Sequence, residues 1–133
     1  MTRYPDWPIR YAQFIASRRN SPFEWGVNDC AKFATDCIAA ITGVDIVAKQ
    51  FKKYSTERAA LSLVAKHGGL EAIATAAAGE PCGPLMACVG DMVLVDMDGR
   101  DMLAICNGDT AFAPGDAGLV AVPMSVAKRC WKV

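Results

Sequence analysis

Apolar positions in the first eighty residues recur with the period of an α-helix. Trp7, Tyr11, Phe14 and Ile15 fall at i, i+4, i+7 and i+8, which places them on one helical face. Asp6 stands where an N-cap would, Pro8 suits a first turn, and Asn20-Ser21-Pro22 ends the run. The clearest period follows. Cys30, Phe33, Ala34, Cys37, Ile38 and Ile41 make one stripe, with Asn28 and Asp29 as candidate caps before it and Gly43 as a natural stop. A short amphipathic segment is predicted over Ile46 to Tyr54. A third helix is expected from Ser55-Thr56 to His67, closed by Gly68-Gly69, and an alanine-rich fourth over Leu70 to Ala78, ending at Gly79.

The pattern changes after Glu80, where Pro81, Gly83 and Pro84 break helical order. Short β runs are then predicted at Met92–Val95, Met102–Cys106, Asp109–Ala113, Leu119–Val122 and Arg129–Val133. Asp98-Gly99 and Asn107-Gly108 read as tight hairpin turns, and Pro114-Gly115 and Gly118 as further punctuation. Helices first and strands second predict one α+β domain over 1–133, with a helical part at about 6–79 and an antiparallel strand part at about 90–133. The Pro/Gly stretch at 79–84 is too short to separate two domains.

Composition narrows the function classes. At 53% hydrophobic residues the chain can fill a core, and 14 basic against 14 acidic residues leave no net charge. A nucleic-acid binder or a polybasic membrane-surface protein would carry a basic surplus, so neither partner is expected. No stretch approaches the roughly 18 apolar residues of a membrane span. The opening MTRYPDWPIRY has no apolar signal core, which predicts synthesis and folding in a cytoplasm.

Six cysteines occur: Cys30, Cys37, Cys82, Cys88, Cys106 and Cys130. Without a secretory signal a disulfide framework is not the default reading, and the bland role for each is a small buried hydrophobe. Their spacings are wider than the paired ligands of a structural zinc site, so no metal or cofactor is expected; Cys82, Cys88 and Cys106 form the alternative ligand set. Asp96-x-Asp98-Gly99 lacks the further oxygen ligands of a calcium loop and reads as a turn.

Cys30 is different because it heads a predicted helix, where the dipole favours a thiolate. Trp25-Gly26 just before it would let backbone approach a substrate. Against this, Asp29 beside it raises a thiol pKa, and Cys30 shares its stripe with core residues. A nucleophile also needs a base. The single histidine, His67, sits at a helix C-terminus, where an ordinary surface role suffices.

The motifs F-E-W-G-V-N-D-C (23–30), A-x-x-x-T-D-C, G-D-M-V-L-V (90–95), M-L-A-I-C-N-G (102–108) and A-F-A-P-G (111–115) occur in this order. Together with Thr42-Gly43-Val44-Asp45, Tyr54-Ser55, Gly68-Gly69 and Arg129 to Trp131, they resemble the NlpC-type branch of the papain-like cysteine peptidases. The closest likeness is to a small phage- and prophage-borne group of NlpC-like proteins. The resemblance implies helices packed on a half-barrel sheet, with Cys30 at the nucleophile position and histidines supplied by the strands. Met102 stands at the position of the first histidine and Phe112 at that of the second. Trp25, Gly26, Asp29, Met102 and Phe112 are therefore the expected cleft residues around Cys30.

The resemblance with its missing histidines implies a catalytically degenerate, tail-associated interaction module that contacts other phage proteins in a virion. The alternative is an active thiol hydrolase, acyltransferase or cell-wall peptidase, with Asp29, Asp91, Asp101 or His67 as an unusual base.

Overall fold

The computed structural model describes residues 1–46 and 53–133. Four helices, α1 (Trp7–Arg18), α2 (Cys30–Thr42), α3 (Glu57–Lys66) and α4 (Leu70–Ala78), precede five strands. The strands are β1 (Met92–Met97), β2 (Arg100–Cys106), β3 (Thr110–Gly115), β4 (Gly118–Pro123) and β5 (Ala127–Trp131). They pair antiparallel in the order β4-β3-β2-β1-β5. The α+β class and its helix-then-strand order follow the sequence pattern. The amphipathic segment predicted over Ile46 to Tyr54 lies largely outside the described residues. No helix among the described residues is long and apolar enough to cross a membrane.

The helix starts show which caps win. Asp29 caps α2 through Lys32 N–H (2.8 Å), and Thr56 caps α3 through Ala59 N–H (3.2 Å). Each satisfies one of the N–H groups that a helix leaves without an internal partner. Asp6 makes no such bond, contrary to expectation. Its carboxylate accepts from Arg10 Nε one turn on (2.7 Å), so an ion pair takes the oxygen that capping would need.

Two cores lie on the two faces of the sheet. Phe33, Cys37, Ile38 and Ile41 of α2 meet Tyr11 and Ile15 of α1 and the helix-side strand residues Met92, Leu94, Leu103, Ile105 and Trp131. The far face carries smaller side chains: Val93, Val95, Ala104, Cys106, Ala111, Ala113, Val122 and Cys130, all buried in one cluster. Strands buried on both faces read as continuous apolar runs rather than as alternation. Pro114 lies inside β3, past the point where β2 stops pairing, so its missing N–H costs the sheet nothing on that side.

A buried carboxylate holds both ends of the chain. Asp91 accepts from Arg3 Nη2 (2.9 Å), Lys132 Nζ (2.5 Å), Cys88 N–H (2.9 Å) and Val133 N–H (2.9 Å). Arg3 also donates to the carbonyls of Val89 and Val133 and stacks over the Trp7 ring at 4.2 Å.

Candidate functional site

Cys30 opens α2 and is half-buried, packed against the helix-side core. The backbone N–H groups of Leu103 on β2 and of Ala31 act on its sulfur to lower the thiol pKa. Those two donors favour a thiolate, but burial outweighs them and the Asp29 charge opposes them. The thiol is pushed up to about 11. The helix dipole thus fails to produce a reactive thiolate here, because the sulfur is withdrawn from water.

Asp29 is not poised as a base. Its two oxygens accept from Lys32 N–H (2.8 Å), Gly26 N–H (2.9 Å) and the Tyr54 hydroxyl (2.5 Å). It serves as a helix cap that also ties down the preceding loop and the segment entering α3. Tyr54, whose phenol is raised by burial and by this carboxylate, is the near neighbour of Cys30 that motif reading quoted without assigning it a role. Gly26 takes φ +77°, and a Cβ on it would lie 1.9 Å from the Tyr54 carbonyl oxygen. Its close approach is therefore to its own chain, not to open space for a substrate. Trp25 packs edge-on against Phe23, ring centroids 4.7 Å apart, in the same loop.

The expected strand residues separate. Phe112 packs with the helix-side core, whereas Met102 packs with the far-face cluster. Met102 and Phe112 thus lie on opposite faces of the sheet and do not line one cleft with Cys30. Leu103, one residue along, is the β2 side chain on the helix side. His67 closes the far end of α3, a helix about 15 Å long, whose near end, with Tyr54 and Glu57, borders the Cys30 region. Glu57 there accepts from Arg100 Nη2 at 3.2 Å.

The remaining candidates are engaged elsewhere. Asp101 accepts from Lys128 Nζ (2.5 Å), and Asp91 holds the chain ends as described. Asp96 accepts from Gly99 N–H (2.9 Å) and makes a hairpin turn. Cys82 pairs across the sheet edge with Cys130 rather than gathering with Cys88 and Cys106. No group of three or more potential metal ligands occurs among the described residues.

Several thiols keep their protons to high pH because they are buried. Cys37 and Cys130 are each pushed up to about 12, and Cys106 is also raised. An unfolded cysteine loses its proton near 8.5. Above that pH the unfolded chain binds fewer protons than the folded one, so stability must fall as pH rises. The slope is up to about 1.4 kcal/mol per pH unit for each such thiol, between about pH 9 and the folded values. The raised phenols of Tyr11 and Tyr54 add the same sign at the upper end. Urea midpoints are expected to drop progressively from pH 9 to 10.5; a midpoint constant over that range would contradict the burial of these groups.

No curated protein matches the chain. The family described as a domain of unknown function (DUF6950) matches residues 2–133, and the chain belongs to that family.

Proposed function

We propose that the chain is a papain-like, NlpC-type domain whose cleft has lost peptidase chemistry and acts as a structural or binding module, in the setting of a phage or prophage particle. The observation that carries this reading is the surroundings of the Cys30 sulfur. Cys30 packs against the apolar helix-side core, while the adjacent carboxylate, Asp29, already has three donors. A thiol nucleophile needs a base within hydrogen-bond reach or through one water. The helix-first order, with Cys30 heading α2 against an antiparallel sheet, supports the papain-like assignment. The phage setting rests on the sequence resemblance.

With a thiol near 11, about one Cys30 in 10³ is ionised at pH 8, against roughly a quarter of ordinary cysteines. Alkylation of Cys30 by iodoacetamide in the folded chain is therefore expected to be on the order of 10²-fold slower than that of a free cysteine peptide. Its rate should climb about tenfold per pH unit toward pH 10, following the thiolate fraction. Cys30→Ser should leave folding and any particle assembly unchanged. Cleavage of peptidoglycan peptides by the native chain, abolished in Cys30→Ser, would overturn the proposal.

A further inference from the structure

The connection from α4 to β1 pairs with the sheet edge at Cys82. Cys82 forms an antiparallel bridge with Cys130 on β5, the edge strand. The Cys82 N–H donates to the Cys130 carbonyl (2.7 Å), and the Cys130 N–H donates to the Cys82 carbonyl (3.0 Å). Residues that exchange both bonds stand directly opposite, with Cα atoms about 5.5 Å apart. Disulfides span Cα separations of roughly 4.4–6.8 Å. The Cys82 thiol is turned toward its partner and donates to the Cys130 carbonyl at 3.4 Å. Both side chains belong to the far-face cluster, Cys130 inside it and Cys82 at its border.

We propose that Cys82 and Cys130 are a redox site: a dithiol that peroxide converts to a reversible disulfide, clipping the helix-to-sheet connection onto β5. Cys82 is the thiol that meets the oxidant, since it is partly exposed and Cys130 is fully buried. The Cys82 thiolate attacks one oxygen of hydrogen peroxide and the O–O bond breaks. This leaves a sulfenic acid on Cys82, and the departing hydroxide takes up the proton that the Cys82 thiol released to become water. The Cys130 sulfur then displaces the sulfenic hydroxyl, which departs with the Cys130 proton as a second water. Two thiols have lost two electrons and two protons, and the peroxide has gained them. Burial and the Cys82 contact hold Cys130 protonated until that second step.

The bond is a reversible clip rather than a permanent staple. Directly opposite Cβ atoms in a hydrogen-bonded pair are about 5.5 Å apart. A relaxed disulfide brings them to about 3.5–4.5 Å. Closing it draws the two backbones together, and a strained disulfide is the more easily reduced. The clip would fix the base of the Pro84–Met86 turn, where Leu85 is 99% exposed.

The test treats the purified full chain with equimolar hydrogen peroxide, then maps peptides without reduction. The expected result is an intact mass lower by two hydrogens, a Cys82–Cys130 linked peptide, and full recovery of both thiols with dithiothreitol. Cys82→Ser should abolish the mass change. It is the informative variant because its side chain is only partly buried, whereas Cys130→Ser alters the packed cluster. Cys88→Ser, which removes the exposed thiol, should leave the link intact. The proposal is overturned if Cys82 and Cys130 both remain alkylatable after oxidation and denaturation while Cys88 is consumed. It is equally overturned if the intramolecular link persists in Cys82→Ser.

Discussion

Asp91→Ala is expected to destabilise the chain by about 3–5 kcal/mol, the range for removing one partner of a buried ion pair. The carboxylate is fully buried and accepts four hydrogen bonds, two of them from the cations Arg3 and Lys132. Removing it strands the Arg3 guanidinium, whose side chain is only 16% exposed, against the carbonyls of Val89 and Val133 and the Trp7 ring. It also leaves two backbone N–H groups without their acceptor, each costing about 1–3 kcal/mol if buried and unsatisfied. Asp91→Asn keeps one acceptor oxygen but turns an NH₂ toward donors, so roughly half the loss is expected on the same grounds. Asp6→Ala is the control. That carboxylate also pairs with an arginine, Arg10, but both side chains are well exposed, and no measurable loss is expected from a solvent-screened pair. Urea unfolding of the three variants reads the comparison directly. A loss for Asp91→Ala no larger than that for Asp6→Ala would mean that the buried carboxylate holds nothing together.

Elements that advertise themselves locally were legible in the sequence. The α2 stripe, the Asp29 cap and the Leu70–Ala78 helix could be read because each depends on residues within a few positions of one another. All five strands were found within about two residues, since Asp98-Gly99 and Asn107-Gly108 mark turns by backbone chemistry alone. The face of each strand could not be read in this way. Met92–Val95 and Met102–Ile105 are apolar on both sides, so no alternation shows which residue looks toward α2. Motif alignment placed Met102 opposite Cys30, and the structure puts Leu103 on that side. Partners distant in sequence were equally hidden. Asp91 draws donors from both ends of the chain, and Cys82 meets Cys130 across 48 residues. Six cysteines allow fifteen complete pairings, and spacing does not choose among them.

The Tyr54–Asp29 contact was also invisible to local reading, and Gly26 is where it can be broken most cleanly. Gly26→Ala is expected to cost about 2–5 kcal/mol, from two effects that can be separated. A non-glycine residue at φ +77° pays about 1–2 kcal/mol for left-handed backbone. The new methyl would also lie 1.9 Å from the Tyr54 carbonyl oxygen, a backbone atom that cannot rotate aside, and such overpacking typically costs about 1–3 kcal/mol. Gly99→Ala isolates the first effect, because Gly99 has φ +82° and nothing within 4 Å of an added Cβ. The difference between the two variants measures the clash. Relief of the clash requires the 23–28 loop and Tyr54 to part, which pulls Gly26 N–H and the Tyr54 hydroxyl away from Asp29. Cys30 follows directly in α2, so its sulfur gains water and its thiol falls back toward the ordinary value. Alkylation of Cys30 should then be roughly 10-fold or more faster in Gly26→Ala than in the native chain at pH 8, one unit of thiol pKa being tenfold in thiolate. Gly99→Ala should leave that rate unchanged. Equal stabilities for the two variants, with equal Cys30 labelling, would show that the Gly26–Tyr54 approach does not keep water from the Cys30 sulfur.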